Sequence, residues 1–356
     1  MKHIIITSLD MYLMGGVERT NASLCRLFSS QGHKVTLISF FRNSKKPFFD
    51  FGDNKIVSIN RSPHGLNQNF LIKLKTLISF FKCINYLKSI DDDYILISSY
   101  PRTSILFAIF FSKKDKVIAH EHSSFKAHGR FLQWIRFLLY RRLRCVITLT
   151  EHDREIFKKN GTDSFKIPNF SDFNSKPLKV RDNSEPFVCL SAGRLHPHKG
   201  FDRLIEIANE LKSFNIEFQI VGSGTEKEKI QSLISKYALN DMIKLYDATD
   251  NLEYFFHKSD VYLMTSTTEA APLVLLESLS FSKPIIAYDC PIGPREIIND
   301  GVNGYLIEDG DKFSYVQKLK LMMSSPEVYN SLSLGASNYS KTNSSVRNYH
   351  LWKRHF

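Results

Sequence analysis

A chain of 356 residues is more than one hydrophobic core usually fills, so two domains of similar size are expected. With 43% hydrophobic and 24% charged residues, the composition excludes a disordered chain, a collagen-like repeat and a small disulfide scaffold. The formal charge of +12 is uneven: residues 1–185 hold 30 Lys and Arg against 16 Asp and Glu, net +14, and residues 186–356 hold 18 against 20, net −2. A basic front half suggests an anionic partner, either nucleic acid or an acidic membrane surface, against the plainer alternative of a solvated basic exterior.

At the amino end, HIIITSL (residues 3–9) is too short for a leader's apolar segment and reads as a first buried strand. Gly15 and Gly16 follow, then a helix over 17–31 and a strand over 34–41 (KVTLISFF). Segment 71–87 is basic and amphipathic, and further strands fall at 94–99 and 116–122. Segment 125–144 places Phe131, Trp134, Phe137 and Leu138 at helical spacing, with Arg130, Arg136, Arg141, Arg142 and Arg144 supplying charge. That is the composition of an interfacial helix, although a crossover helix packed on a sheet fits as well. A strand at 145–150 closes this half.

A polar stretch at 171–186 reads as a linker, after which the alternation of strand and helix restarts at 187–193 (FVCLSAG) and continues to GYLIE at 304–308. The expectation is an α/β protein with a doubly wound domain over 1–170, a second over 187–334, and a tail over 335–356 packing back on the first. Two such sheets facing a central cleft would bind ligand at the carboxyl ends of their strands.

The five cysteines, Cys25, Cys83, Cys145, Cys189 and Cys290, are odd in number and lack a C-x-x-C pair, which argues against a zinc ribbon or a disulfide framework and suits a reducing compartment. No apolar run reaches the roughly 20 residues that span a bilayer.

Residue chemistry concentrates at three places. Strand VYLMTS is followed by the turn TTEAAP and the helix-forming LVLLESLS, so Glu269 lies in the turn and Glu277 in the helix. A helix beginning near Pro272 offers unpaired N–H groups and its positive end to a phosphate. The two carboxylates, as acceptors, suit ribose and sugar hydroxyls. After FVCLSAG come Gly193, Arg194, His198, Lys199 and Gly200, where Arg194 and Lys199 are placed to neutralise a diphosphate. Gly15 and Gly16 let backbone approach a phosphate or sugar closely. Asp91, Asp92 and Asp93 satisfy the D-x-D spelling of a metal-dependent transferase but precede a strand, where a solvated turn is the expectation.

The same residues carry a resemblance. The chain resembles glycosyltransferase family 4, retaining enzymes of the GT-B fold, in GGVER (15–19), GRLHPHKG (193–200), VGSG (221–224), EAAPLVLLE (269–277) and CPIGPREIINDGVNG (290–304). The resemblance implies an acceptor-binding first domain and a nucleotide-sugar-binding second one. It implies a donor site of Gly15, Gly16, Gly193, Arg194, Lys199, Gly222, Glu269, Ala270, Ala271, Pro272, Leu273, Val274 and Glu277. Within it, Arg194 and Lys199 contact the diphosphate, Glu277 the ribose and Glu269 the sugar.

By the same resemblance His122, or His120 two residues earlier, lies near the sugar's 6-hydroxyl. Ala270 and Ala271 stand where family members often have Gly, and Asp247 and Ala248 replace a Gly beside the base. The CPIGPREII variant favours a UDP-sugar over a GDP-sugar such as GDP-mannose. The expected reaction is retaining, needs no metal or other cofactor, and serves a lipid-linked saccharide acceptor at the inner face of the cell membrane, where the protein is peripheral and faces the cytoplasm.

Two rivals fare worse. A nicotinamide oxidoreductase needs G-x-G-x-x-G after a strand, and Gly222 and Gly224 are followed by Lys227 where the third Gly belongs. A nucleic-acid-binding protein has the basic charge in its favour but none of the motifs.

Overall fold

The apolar run at the amino end becomes β1 (His3–Asp10), in which Ile4, Ile5 and Ile6 are all fully buried, the mark of a strand covered on both faces. In chain order follow α1 (Gly16–Ser30), β2 (Lys34–Phe41), β3 (Lys55–Ser58), α2 (Asn69–Lys88), β4 (Tyr94–Ser98), α3 (Pro101–Phe110) and β5 (Val117–Glu121). Then come α4 (Arg130–Leu139), β6 (Cys145–Thr148), α5 (Glu151–Lys159) and β7 (Ser164–Lys166). All seven strands run parallel in the order β3-β2-β1-β4-β5-β6-β7. The order reverses between β1 and β4, so the loops after them mark the switch point where doubly wound sheets bind ligands.

This structure is a computed structural model that describes residues 1–61, 69–174, 176 and 185–356, with the side chains of 69–71 left out. Most of the stretch read as a linker, 175 and 177–184, therefore lies outside the described residues, as does the first side chain of segment 71–87.

A second parallel sheet has the order β10-β9-β8-β11-β12-β13, built from β8 (Phe187–Ala192), β9 (Ile216–Val221), β10 (Ile243–Tyr246), β11 (Val261–Met264), β12 (Ile285–Asp289) and β13 (Gly304–Glu308). Its helices are α6 (Phe201–Asn209), α7 (Lys227–Lys236), α8 (Leu252–Lys258), α9 (Leu273–Ser280), α10 (Lys312–Ser324) and α11 (Pro326–Thr342). Sequence chemistry sets the helix starts: Asp311 accepts from the Ser314 N–H at 3.0 Å, and Ser325 accepts from Val328 at 3.3 Å with Pro326 in the first turn.

The chain divides into two units: Met1–Asn169 with Ser345–Phe356, and Phe170–Ser344. A tail beginning at residue 335 would cut α11 in two. Ala336 is fully buried in the second unit's core, and a Cβ on Gly335 would stand 1.9 Å from the Val302 carbonyl oxygen, so α11 belongs to that unit throughout. Only the last helix, α12 (Ser345–Lys353), joins the first unit, where Trp352 and Phe356 pack edge-on against Phe28 at 5.7 and 5.1 Å. Among the described residues no helix is long and apolar enough to cross a membrane.

Candidate functional site

In the second unit the switch point lies between β8 and β11, neighbours paired at Val261 with Cys189. The loops after these two strands carry the residues singled out by sequence, and hydrogen bonds fasten one loop to the other. The Thr267 N–H donates to the His198 carbonyl at 2.9 Å, and Thr265 Oγ1 donates to the Gly200 carbonyl at 2.7 Å. Gly200 makes this approach possible: its φ is +62°, and a Cβ there would lie 2.2 Å from the Thr265 carbonyl oxygen. The Thr265 carbonyl also accepts from Arg203 Nη1 at 3.2 Å, and the Arg203 guanidinium lies over the Tyr288 ring at 4.0 Å.

This clamp brings Lys199 to Glu269. Lys199 Nζ donates to Glu269 Oε1 at 2.6 Å, and Ser266 Oγ donates to the same oxygen at 2.7 Å. The Glu269 side chain is 11% exposed and that of Lys199 29%, so a paired cation and carboxylate sit half-sheltered at the carboxyl ends of the strands. Gly193 lies under the Lys199 stem, and Gly222, at the end of β9, packs on the Gly193 backbone. Arg194 is exposed and makes no hydrogen bond or ion pair among the described residues, leaving its guanidinium available to an incoming anion.

Pro272 is extended (φ −69°, ψ 108°) and precedes α9 rather than opening it, so the helix begins at Leu273. Leu273 and Val274 remain partly exposed, and their amides lie in the first turn, where no intrahelical acceptor exists. Glu277 is the fifth helical residue and is buried beneath this turn at 3% exposure. The turn is closed from the other side by the segment after β12: Gly293, at φ +99°, is so near Ala270 that a Cβ would lie 2.9 Å from the Ala270 carbonyl oxygen. Cys290 is drawn in as well, its thiol pushed up to about 12 by burial, with the Glu269 charge adding to the shift.

In the first unit, Gly15 caps α1 while Gly16 has open space on its side-chain face. Under Gly15 lies the buried Glu18 carboxylate, which accepts from the Tyr100 hydroxyl at 2.9 Å. Burial and the Glu18 charge together push the Tyr100 phenol well up. Sequence reasoning passed over Glu18, Tyr100, Ser266 and Arg203. For Glu18 the signal was present in GGVER, an acid in the first turn of a helix after a glycine pair.

His120 and His122 meet at the end of β5 with ring centroids 4.0 Å apart. Trp352 stands edge-on over His120 at 5.1 Å and leaves it 2% exposed, whereas His122 lies one residue beyond the strand and keeps partial exposure. Burial lowers His122 to about 3 and lowers His120 well below the ordinary imidazole range, so both rings are neutral in the physiological pH range.

Between them Glu121 faces the sheet's other side. It accepts from Arg136 Nη2 at 2.7 Å and from the Tyr140 hydroxyl at 2.6 Å. Arg136 is fully buried, so it does not belong to the charged face of α4 expected from composition. Its guanidinium lies over Phe125 and Phe157 at 4.7 and 5.2 Å, filling the space beneath the helix.

The three aspartates lie at the amino ends of the strands, away from the carboxyl-end loops. Asp92 pairs with Lys34 and, at 3.2 Å, with His3, and Asp93 pairs with Lys116 and, at 3.3 Å, with Lys2.

Doubly wound parallel sheets in two units define a protein of the GT-B architecture. Residues 14–173 match the model of "Glycosyltransferase Family 4", and residues 172–338 match that of "Glycosyl transferases group 1". The chain belongs to this glycosyltransferase family.

It is 28% identical over 343 residues to an uncharacterized glycosyltransferase of Haemophilus influenzae, covering 92% of each chain. It is also 28% identical over 327 residues to the amylovoran biosynthesis glycosyltransferase AmsD of Erwinia amylovora, covering 88% of each. Among solved structures, the pneumococcal O-GlcNAc transferase GtfA in complex with UDP and GlcNAc superposes with a TM-score of 0.76 at 17% identity, over 99% of this chain and 98% of that one. A TarM mutant of Staphylococcus aureus with UDP bound gives 0.80 at 15% identity, over 100% and 99%. At these identities the superpositions speak to the fold alone.

Proposed function

We propose that the protein transfers a hexose or N-acetylhexosamine from a UDP-sugar, with retention of configuration, to a lipid-linked saccharide in surface polysaccharide assembly. The observation that carries this reading is the Lys199–Glu269 pair held at the switch point by Ser266 and the Gly200 clamp. When the bond from the anomeric carbon to the diphosphate breaks, positive charge grows on the sugar ring and negative charge on the leaving phosphate. Fixed cations and helix-start amides stabilise the second of these, commonly the largest contribution to catalysis. Lys199, Arg194 and the amides of Leu273 and Val274 fill that role here without calling on a metal.

The acceptor hydroxyl attacks the anomeric carbon on the face that the diphosphate leaves, and its proton passes to the departing diphosphate oxygen. Glu269 accepts hydrogen bonds from sugar hydroxyls and Glu277 from the ribose. His122, which the resemblance puts near the sugar's 6-hydroxyl, is kept neutral by burial. Ala270 and Ala271 bring methyl groups where the sugar must fit, and Gly293 fixes the Ala270 backbone from behind. The UDP assignment is supported by the CPIGPREII segment and by proteins of the same fold whose structures were solved in complex with UDP. The role in polysaccharide assembly is supported by AmsD, named for amylovoran biosynthesis.

A panel of UDP- and GDP-sugars screened for thermal stabilisation, followed by turnover of the best donor, tests the reading. One UDP-sugar is expected to stand out. Stabilisation by no UDP-sugar, or by a GDP-sugar alone, overturns the donor assignment.

A further inference from the structure

A crossover helix ordinarily hides its aromatic residues and exposes its arginines; α4 inverts this at several positions. Phe131, Trp134 and Leu138, spaced three and four apart on one stripe, are 74%, 59% and 53% exposed, while Arg136 is fully buried against Glu121. Basic side chains rim the stripe: Lys126 and Arg130 before it, and Arg141 and Arg142 at its far end, all exposed. From His122 to Thr150 the sequence contains no acidic residue.

Further exposed apolar side chains lie on the neighbouring helices. α3 packs beside α4 and ends in the exposed Ile109 and Phe110, and Phe110 meets the exposed Phe81 of α2 at 5.4 Å. Over residues 69–144 there are 14 Lys and Arg against 5 Asp and Glu, net +9, within a unit whose 30 basic and 13 acidic residues give +17.

We infer that this face, centred on Phe131, Trp134 and Leu138, docks on the surface of a membrane containing acidic lipid. The aromatic and leucine side chains enter the boundary between headgroups and acyl chains while the rim of Lys and Arg meets lipid phosphates, the composition by which interfacial helices hold to bilayers. Trp134, with an apolar body and one polar N–H, suits that depth. Charge argues against a second copy as the occupant, because a two-fold interface on this face would set each arginine rim against itself. The contiguous apolar stripe argues against duplex nucleic acid, whose recognition relies on cations and hydrogen-bonding groups at phosphates and base edges. This surface deepens the lipid-linked acceptor reading, from which it takes its biological use, but lipid binding is measurable without any sugar transfer.

The test uses the full chain and vesicles of phosphatidylcholine with and without phosphatidylglycerol. Of the two tryptophans, Trp352 is 1% exposed, so a blue shift in fluorescence reports Trp134. Co-sedimentation and a blue shift are expected with phosphatidylglycerol only, weakening as salt rises. A variant combining Phe131→Glu, Trp134→Glu and Leu138→Glu is expected to lose roughly tenfold or more in binding with an unchanged melting temperature and unchanged stabilisation by UDP. Phe313→Glu, at a 74% exposed site of the second unit, is expected to bind like the parent. Absence of binding to anionic vesicles, equal binding by the triple variant, or self-association or DNA retention abolished by that variant would each overturn the inference. Retained UDP stabilisation in those cases leaves the donor assignment standing.

Discussion

Replacing Gly200 with Ala tests whether the clamp between the loops after β8 and β11 is what holds Lys199 in place. Left-handed backbone at φ +62° costs a residue with a Cβ about 1 kcal/mol. The new methyl would also sit 2.2 Å from the Thr265 carbonyl oxygen, a backbone atom already engaged by Arg203, so the loop must lift. Lifting breaks the Thr265 to Gly200 and Thr267 to His198 hydrogen bonds, worth about 1 kcal/mol each. The loss of about 3 kcal/mol corresponds to about 6–12 °C in melting temperature for a unit of this size. Gly301 is the control: it too has positive φ, +71°, but nothing lies within 4 Å of its missing Cβ. Gly301→Ala should therefore lose only the backbone contribution, about 1 kcal/mol or 2–4 °C. Calorimetry of the two variants, with and without UDP, decides the matter. Equal shifts, or full UDP stabilisation of the Gly200 variant, would refute the argument that steric contact at this glycine sets the lysine.

Three further outcomes are expected. Lys199→Ala should lower turnover of the identified donor by about 10²- to 10³-fold, as loss of one fixed charge at a developing oxyanion does, with little change in melting temperature; a drop below about threefold would remove Lys199 from the chemistry. Arg136→Met leaves Glu121 buried with the Tyr140 hydroxyl, and a denaturant titration should show about 3–5 kcal/mol of lost stability, part of it recovered when Glu121→Gln is added. For His122, held to about 3 against an ordinary 6.5, the unfolded chain takes up a proton between those values and the folded chain does not. Stability therefore falls as pH drops from about 6.5, by up to about 1.4 kcal/mol per pH unit for this one group, and His122→Asn should flatten the curve between pH 6.5 and 5; parallel curves would show that the ring is not shielded as described.

The strands at the centres of both sheets were legible because burial on both faces writes an uninterrupted apolar run, as in HIIITSL and FVCLSAG. The edge strands β3 and β7 were not: at four and three residues, with Lys55 and Phe165 exposed, they have no such pattern and exist through pairing with β2 and β6. The donor-side residues were read from motif and helix-start chemistry and grouped in one site by resemblance, yet the direct ion pair between Lys199 and Glu269, 70 positions apart, was not legible, because adjacent parallel strands bring them together. Composition alone gave α4 a uniformly basic exposed face. The clue that one arginine turned inward was Glu121, the lone acid between Lys116 and Thr150, on a strand where a buried carboxylate needs a partner.

The return of α12 to the first unit makes the second unit an insertion. The polypeptide leaves at Asn169 and re-enters at Ser345, and the two crossings are stitched together where Asn348 Nδ2 donates to the Pro168 carbonyl at 2.6 Å. On the ribosome, the first unit therefore waits with Phe28 and His120 uncovered until some 175 further residues have been made. The second unit is one uninterrupted stretch and has no such wait. Maturation of this enzyme is thus expected to run against the order of its sequence, with the second unit settling before Trp352 arrives to seal the first.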